Sequence, residues 1–382
     1  MMNFIKSAVF QQPLDCSFLE SLSEEDFKKL YALSKSHDLA HLIGAALGEG
    51  ACAHAGATAN QFQRETCMAV YRFEQIQYEF DALCKLLEES EIAYLPLKGS
   101  VIRRYYPEPW IRTSCDIDIL IHEQDLAKAK QAVTETLGYQ FVSHGRHDVG
   151  FFSPSGIHFE LHYTLIENDV MQRIEKPLEN VWDYAVLTDG YSFQYALKDE
   201  MFYYYHVAHM AKHYVQGGCG IRPFLDLWIL NNRIDFDKTG REELLQQGGL
   251  LTFAREAEYL SKVWFESEPR TPLIEQMEEY LLGAGVYGNL SNRVVANQVK
   301  RGGKIKYALS KIWLPYENLK YYYPGVRKRK WFVPFYQVRR WCRVLFGKGR
   351  KHAIKELKVN SSVSDEKRNE IKELFKRLDL NV

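Results

Sequence analysis

Two aspartates alternating with aliphatic residues, Asp116-Ile117-Asp118-Ile119-Leu120, constrain this chain more than any other stretch. The run reads as a short buried strand, and side chains two apart on a strand share a face. Asp116 and Asp118 therefore emerge side by side, where two carboxylates repel each other and resist burial unless a cation lies between them. Oxygen ligands favour hard divalent ions, so the run predicts a site for Mg²⁺ or Mn²⁺. A third carboxylate follows on another alternating run, Ile157-His158-Phe159-Glu160-Leu161-His162, which puts His158, Glu160 and His162 on one face. If the two strands pair, Glu160 completes a cluster with Asp116 and Asp118. Such a cluster can hold two metals that clamp the attacking and leaving oxygens of a phosphoryl or nucleotidyl transfer.

Upstream, Leu97-Lys98-Gly99-Ser100 runs from a strand into a helix. At that turn the backbone N–H groups of Gly99 and Ser100, with the Ser100 hydroxyl, would approach nucleotide phosphates, although serine also makes a plain helix cap. Lys98 and Arg112 are the nearest cations in sequence; each would neutralise triphosphate charge or pair with a structural carboxylate. Lys98-Gly99, Tyr105 or Tyr106, Arg112, Asp116-Ile117-Asp118-Ile119-Leu120, Gly138-Tyr139 and Glu160-Leu161-His162 together resemble the polymerase-beta-like nucleotidyltransferases. Within them, the wording is similar to an uncharacterised bacterial nucleotidyltransferase family in which these elements recur. The resemblance is best over residues 90 to 165 and extends more weakly into residues 206 to 226.

The resemblance implies a metal-dependent enzyme that moves an NMP from an NTP to a hydroxyl or phosphate acceptor. Asp116 and Asp118 would bind the metals, and Glu160 would complete the site or help to deprotonate the acceptor. A catalytically inactive nucleotide- or nucleic-acid-binding module, or another metal-dependent phosphotransferase, would carry the same carboxylates. No motif encodes the acceptor or the base. His162 shares the face of Glu160 and would contact the metal or orient the acceptor, or serve only structure. His206, His209 and His213 recur at helical spacing and so share one helix face. His209 and His213 form an i, i+4 pair, but Lys212 beside them opposes a metal, so they are expected to wall the cleft or to pack. Asp226 is expected to receive one of these histidines or to cap its own helix.

The flanking sequence reads as helical. Ser23-Glu24-Glu25-Asp26 is a helix start, and Asn60 to Glu89 carries apolar residues at helical spacing that are expected to pack on the sheet. Gly44 to Gly56 is expected to punctuate two helices. The core then reads as strand 92–97, helix 101–106, the aspartate strand, helix 123–137 and strands over 139–143, 148–152 and 157–163. This order fits an α+β core with a small mixed sheet. The expected organisation is a helical region 1–91, a nucleotidyltransferase core 92–195, a helical domain 196–299 and a basic aromatic-rich region 300–382. Pro315, Pro324 and Pro334 are expected to break up that last region.

The chain's formal charge of zero hides a polarity. Residues 300 to 358 hold eighteen Lys and Arg against two acids, interleaved with aromatics such as Trp313, Trp331 and Trp341. That pattern suits a polyanion, an anionic membrane surface, or docking on the chain's own acidic part. No apolar run is long enough to cross a bilayer and the start has no secretory pattern, so a cytoplasmic location is expected. The seven cysteines lack metal-ligand or disulfide spacing; Cys115, one residue off the aspartate face, is read as packing.

Overall fold

The computed structural model describes residues 1–51, 55–167, 172–283, 285, 288–323, 325–328, 330–347 and 350–380. The amphipathic first ninety residues form helices, chiefly α1 (Met2–Phe10), α2 (Glu24–Ser36), α3 (Ala40–Ala51) and α4 (Thr58–Glu89). Ser23 and Asp26 start α2 as a capping box, each side chain accepting from the other's backbone N–H, at 3.2 and 3.1 Å. Within the Gly44–Gly56 stretch the helical path breaks at Gly48 (φ 53°, ψ −170°), as the sequence predicts, and not at Gly44. Gly44 lies inside α3, where a Cβ would meet the Phe62 carbonyl oxygen at 2.5 Å, so glycine permits the close approach of α3 to α4. Residues 52–54 of the Gly44–Gly56 stretch lie outside the described residues.

Among the described residues, β1 (Tyr94–Pro96), β2 (Asp116–Ile121), β3 (Gln140–His144), β4 (Asp148–Phe152) and β5 (His158–His162) form one mixed sheet in the order β1-β2-β5-β4-β3. The β2–β5 pair is parallel; the others are antiparallel. The protein is α+β, as its sequence implies. Alternation gives the sheet two different faces. Ile117, Ile119 and Ile121 of β2 and Phe159 and Leu161 of β5 form the apolar one. It is covered by Ile76, Leu83 and Leu87 of α4, as expected, and by Ala129 and Val133 of a later helix. Burying each such aliphatic side chain contributes about 1.5–3 kcal/mol. The other face is polar and carries the candidate site.

Between β1 and β2 the chain forms α5 (Lys98–Ile102), followed by a 3₁₀ turn over Arg103–Tyr105. The expected 101–106 helix thus begins earlier and tightens before Pro107. The helix expected at 123–137 is a 3₁₀ turn, Glu123–Asp125, leading into α6 (Leu126–Thr136). A short hairpin, β6 (Ala185–Leu187) and β7 (Tyr195–Leu197), has no counterpart in the sequence reading. Its three-residue strands are too short to display a period. Helices α7 (Asp199–Val215), α8 (Arg222–Arg233) and α9 (Leu251–Phe265) follow.

The chain divides into two compact units, Met1–Met210 with Ile221–Ile274, and Ala211–Gly220 with Glu275–Val382. The second unit is helical and includes α10 (Leu290–Arg301), α11 (Lys304–Ile312), α12 (Val333–Phe346), α13 (Arg350–Ser362) and α14 (Asp365–Arg377). Gln298 ties α10 to α13 by donating from Nε2 to Asn360 Oδ1 at 2.8 Å. Pro334 punctuates the region as expected, by occupying the first turn of α12, where a missing N–H costs nothing. Pro315 likewise precedes the helix Tyr316–Tyr322, and Pro324 lies outside the described residues. No helix among the described residues is long and apolar enough to cross a membrane.

Candidate active site

Register decides what the polar face displays. The parallel ladder aligns Asp116 with His158, Asp118 with Glu160 and Leu120 with His162, and β4 adds Asp148 opposite His162. Strand pairing thereby brings three of the anticipated residues together. Asp118 is buried, 2% exposed. Its Oδ1 accepts from Lys98 Nζ at 2.8 Å and lies 2.8 Å from His162 Nε2. Glu160 Oε2 is 3.5 Å from the same imidazole nitrogen, and its Oε1 is 3.7 Å from His158 Nδ1. Asp118, Glu160 and His162 offer ligand atoms that all lie within 4.8 Å of one another. His147, Asp148 and His162 make a second such group, so His162 is common to both. Asp116 stands two residue pairs along the ladder, on the same face, and belongs to neither group.

The electrostatics separate the two aspartates. Burial alone would raise the Asp118 carboxyl, but the Lys98 ammonium and the His162 hydrogen bond outweigh it and hold the group well below the usual carboxylate range. Asp116 has no such partner. Burial first and the Asp118 charge second push it up to about 6, and Lys98 offsets only part of this. Burial opposes charge on Lys98 and His162 too. The Asp118 charge still lifts Lys98 well above its ordinary value, and hydrogen bonds to Asp118 and then Glu160 raise His162. Near neutral pH the face thus holds a charged Asp118–Lys98 pair beside a carboxyl whose ionisation is unfavourable.

Backbone geometry supports the same point. Lys98 has φ 46°, in the left-handed region that costs an ordinary residue about 1–2 kcal/mol. The Leu97 N–H donates to the Asp118 carbonyl at 3.0 Å and anchors the turn to β2. Strain of this kind, held by surrounding bonds, gathers at functional sites. Next to it, a Cβ on Gly99 would lie 3.0 Å from Ser114 Cβ, so the turn packs tightly on the segment that enters β2. Ser100 Oγ is buried without a hydrogen-bond partner among the described residues, which is unusual because a buried hydroxyl costs free energy when unpaired.

Arg112 is placed differently from Lys98. Its Nε and Nη2 donate to the two oxygens of Asp226 at 2.7 and 2.8 Å, and its Nη1 donates to the Thr113 carbonyl. Tyr106 also donates to Asp226 Oδ1, at 2.6 Å. Asp226 thus receives an arginine and a tyrosine. His206 instead lies 3.0 Å from the Pro223 carbonyl. His209 has its ring 6.4 Å from that of Tyr205, and neither His209 nor His213 belongs to a metal-competent group among the described residues. Cys115 is exposed and not packed.

Several contributors had no signal in the sequence. Arg103 is buried; it donates from Nε to the Gly99 carbonyl at 2.9 Å and from Nη2 to Ser114 Oγ at 2.6 Å. Tyr205, buried on α7, lies in the field of Lys98 and Asp118, and burial raises its phenol. His147 and Asp148 join the face only through the β4–β5 register. The alternation of 148–152 could have flagged Asp148, but not its neighbour across the ladder.

A mixed sheet whose polar face gathers carboxylates, an imidazole and a half-buried lysine beside a tight serine turn fits the core of an α+β nucleotidyltransferase. The chain belongs to an uncharacterised nucleotidyltransferase family, whose match spans residues 23–266 and includes every residue of the candidate site. No curated protein and no solved structure matches it.

Proposed function

We propose that this protein transfers a nucleotidyl group from an NTP to a hydroxyl or phosphate acceptor, as a member of the polymerase-beta-like superfamily. The observation that carries the reading is the Asp118–Glu160 register of the parallel ladder, with His162 against Asp118. The donor set suits a hard divalent ion, Mg²⁺ or Mn²⁺. Two carboxylates and an imidazole converge, and Asp116, held up near 6 by burial and Asp118, records negative charge that Lys98 alone does not balance. Asp116, Asp118 and Glu160 would hold the ion, with His162 as an additional ligand or as the group that orients Asp118. Bound there, a divalent ion supplies neutralisation of charge on the transferred phosphoryl group and on pyrophosphate.

The chain's own groups do the rest. Lys98 reaches Asp118 now and is the cation best placed to turn to a triphosphate. Ser100, with its unpartnered hydroxyl, donates to a phosphate oxygen, while Gly99 lets that backbone approach. Arg112, clamped by Asp226, fixes the loop that leads into β2. Glu160, less buried than Asp118, accepts the acceptor's proton. Use of an NTP would suit a cytoplasmic location.

The test is thermal shift with each NTP, with and without Mg²⁺ or Mn²⁺, on wild type and on Asp116→Asn/Asp118→Asn. A ligand that binds only the folded state raises the melting temperature by mass action. A metal-dependent rise that the double variant loses supports the site. Release of phosphate in place of pyrophosphate from the bound NTP would overturn nucleotidyl transfer.

A further inference from the structure

Among the described residues, the helical unit displays apolar side chains that are exposed. On α11, Ile305, Leu309 and Ile312 are exposed, Ile305 by 77%. At 100° per residue these three fall within about 60° of arc. Lys304 and Lys306 lie about 100° to either side. The opposite side of α11 is the one that packs: Tyr307 is buried and donates to Glu356 of α13, and Lys311 pairs with the same carboxylate at 2.9 Å.

Helix α12 repeats the arrangement. Phe335, Val338 and Phe346 are exposed, Phe346 by 86%, and they share one stripe with exposed Cys342. Arg339 and Arg343 border that stripe. Meanwhile Arg340 and Trp341 face inward and donate to the Ile312 carbonyl, both at 2.6 Å, which ties α12 to the end of α11. Both helices therefore dock through polar and aromatic sides and leave their apolar stripes outward.

We propose that this unit binds an anionic lipid surface, with the stripes of α11 and α12 inserted at the boundary between headgroups and acyl chains. Charge complementarity identifies the occupant: the stripes are edged by lysine and arginine, and residues 300–358 hold sixteen more basic than acidic residues. An amphipathic helix with basic flanks and bulky apolar side chains lies in the plane of such an interface. The side-chain types separate lipid from nucleic acid. Single-stranded nucleic acid is gripped by stacking on aromatics; Phe335 and Phe346 offer rings, but the aliphatic Ile305, Leu309, Ile312 and Val338 outnumber them and suit acyl chains.

The experiment is co-sedimentation of the full chain with neutral phosphatidylcholine vesicles and with vesicles made half of phosphatidylglycerol. Two exposed pairs are replaced, Ile305→Ser/Leu309→Ser and Phe335→Ser/Phe346→Ser, and a charge pair, Lys304→Glu/Lys306→Glu. The expected result is binding to anionic vesicles only, weakened by about tenfold or more in each apolar pair and in the charge pair. Circular dichroism confirms that the variants keep their helix content. Absence of vesicle binding overturns the proposal. So does binding that the apolar pairs leave unchanged, or a chain that ignores vesicles, binds single-stranded RNA and loses that binding with the lysines. Self-association that hides the stripes and excludes vesicles overturns it as well.

Discussion

Replacing Asp226 with Asn separates two roles for Arg112. Asp226 is fully buried and Arg112 nearly so, and their pair is bidentate at 2.7 and 2.8 Å. Removing one partner of a buried pair leaves the other charge unpaired, at about 3–5 kcal/mol. Asparagine keeps one acceptor oxygen for Tyr106 or Arg112, so the lower end, about 3 kcal/mol, is expected. In a unit of this size each kcal/mol moves Tm by about 2–4 °C, which gives a fall of about 6–12 °C in differential scanning calorimetry. Arg112→Leu/Asp226→Leu removes both charges and should recover most of the loss, because an apolar pair of similar volume escapes the desolvation penalty. If Arg112 is a clamp, the double variant keeps its NTP-induced rise in Tm relative to its own baseline. A fall below about 2 °C for Asp226→Asn, or a stable double variant that no longer responds to NTP, would refute the reasoning.

Asp116→Asn removes a charge that burial and Asp118 disfavour; with the carboxyl held near 6 against 3.8, the gain at pH 7 is on the order of 1–3 kcal/mol. The unliganded variant should therefore melt a few degrees higher while transfer is lost; a lower Tm contradicts the electrostatics. His41 sits buried, 2.8 Å from the Ile111 carbonyl, and burial pulls its pKa down to about 4. Its contribution is complete above the unfolded value of 6.5 and is lost as pH falls from there toward 4, about 2 kcal/mol by pH 5. Tm measured between pH 7.5 and 5 should drop less in His41→Gln than in wild type. Gly99→Ala drives a methyl toward Ser114 and should cost about 1–3 kcal/mol. Chemical denaturation should find that Ser114→Gly restores much of that loss, and a Gly99→Ala chain of wild-type stability would remove the packing argument.

Much of the sheet was legible because alternation is a local property. Asp116, Asp118 and Glu160 declared their faces through the aliphatics between them, and the capping box at Ser23 and the long stripe of α4 were equally plain. What escaped depends on pairing across distance. Nothing local tells that β5 inserts beside β2 in parallel, which brings His162 to Asp118 and sets Asp148 across from His162. Arg112 and Asp226 are 114 residues apart, and the spacing of neither hints at the other. The left-handed Lys98 is invisible for a different reason, since only tertiary bonds hold a lysine there. In the basic region, Pro315 and Pro334 punctuate the chain as expected, and they do so at helix starts, because a ring that damages a helix interior is tolerated in its first turn.

The parallel ladder also dictates when the site can exist. Antiparallel β3–β4 and β4–β5 join neighbours through short turns, but β2 meets β5 only after the chain between them has been closed into a loop. Long-range pairing of this kind is slow, because the entropy of closure comes before the contact. The residues at the site thus converge at a late step of folding. A nascent chain that has made its hairpins holds the aspartates apart from Glu160 and has no charge cluster to satisfy. Amide protons of the β2–β5 ladder, followed in a refolding pulse, would therefore gain protection together with the first response to metal.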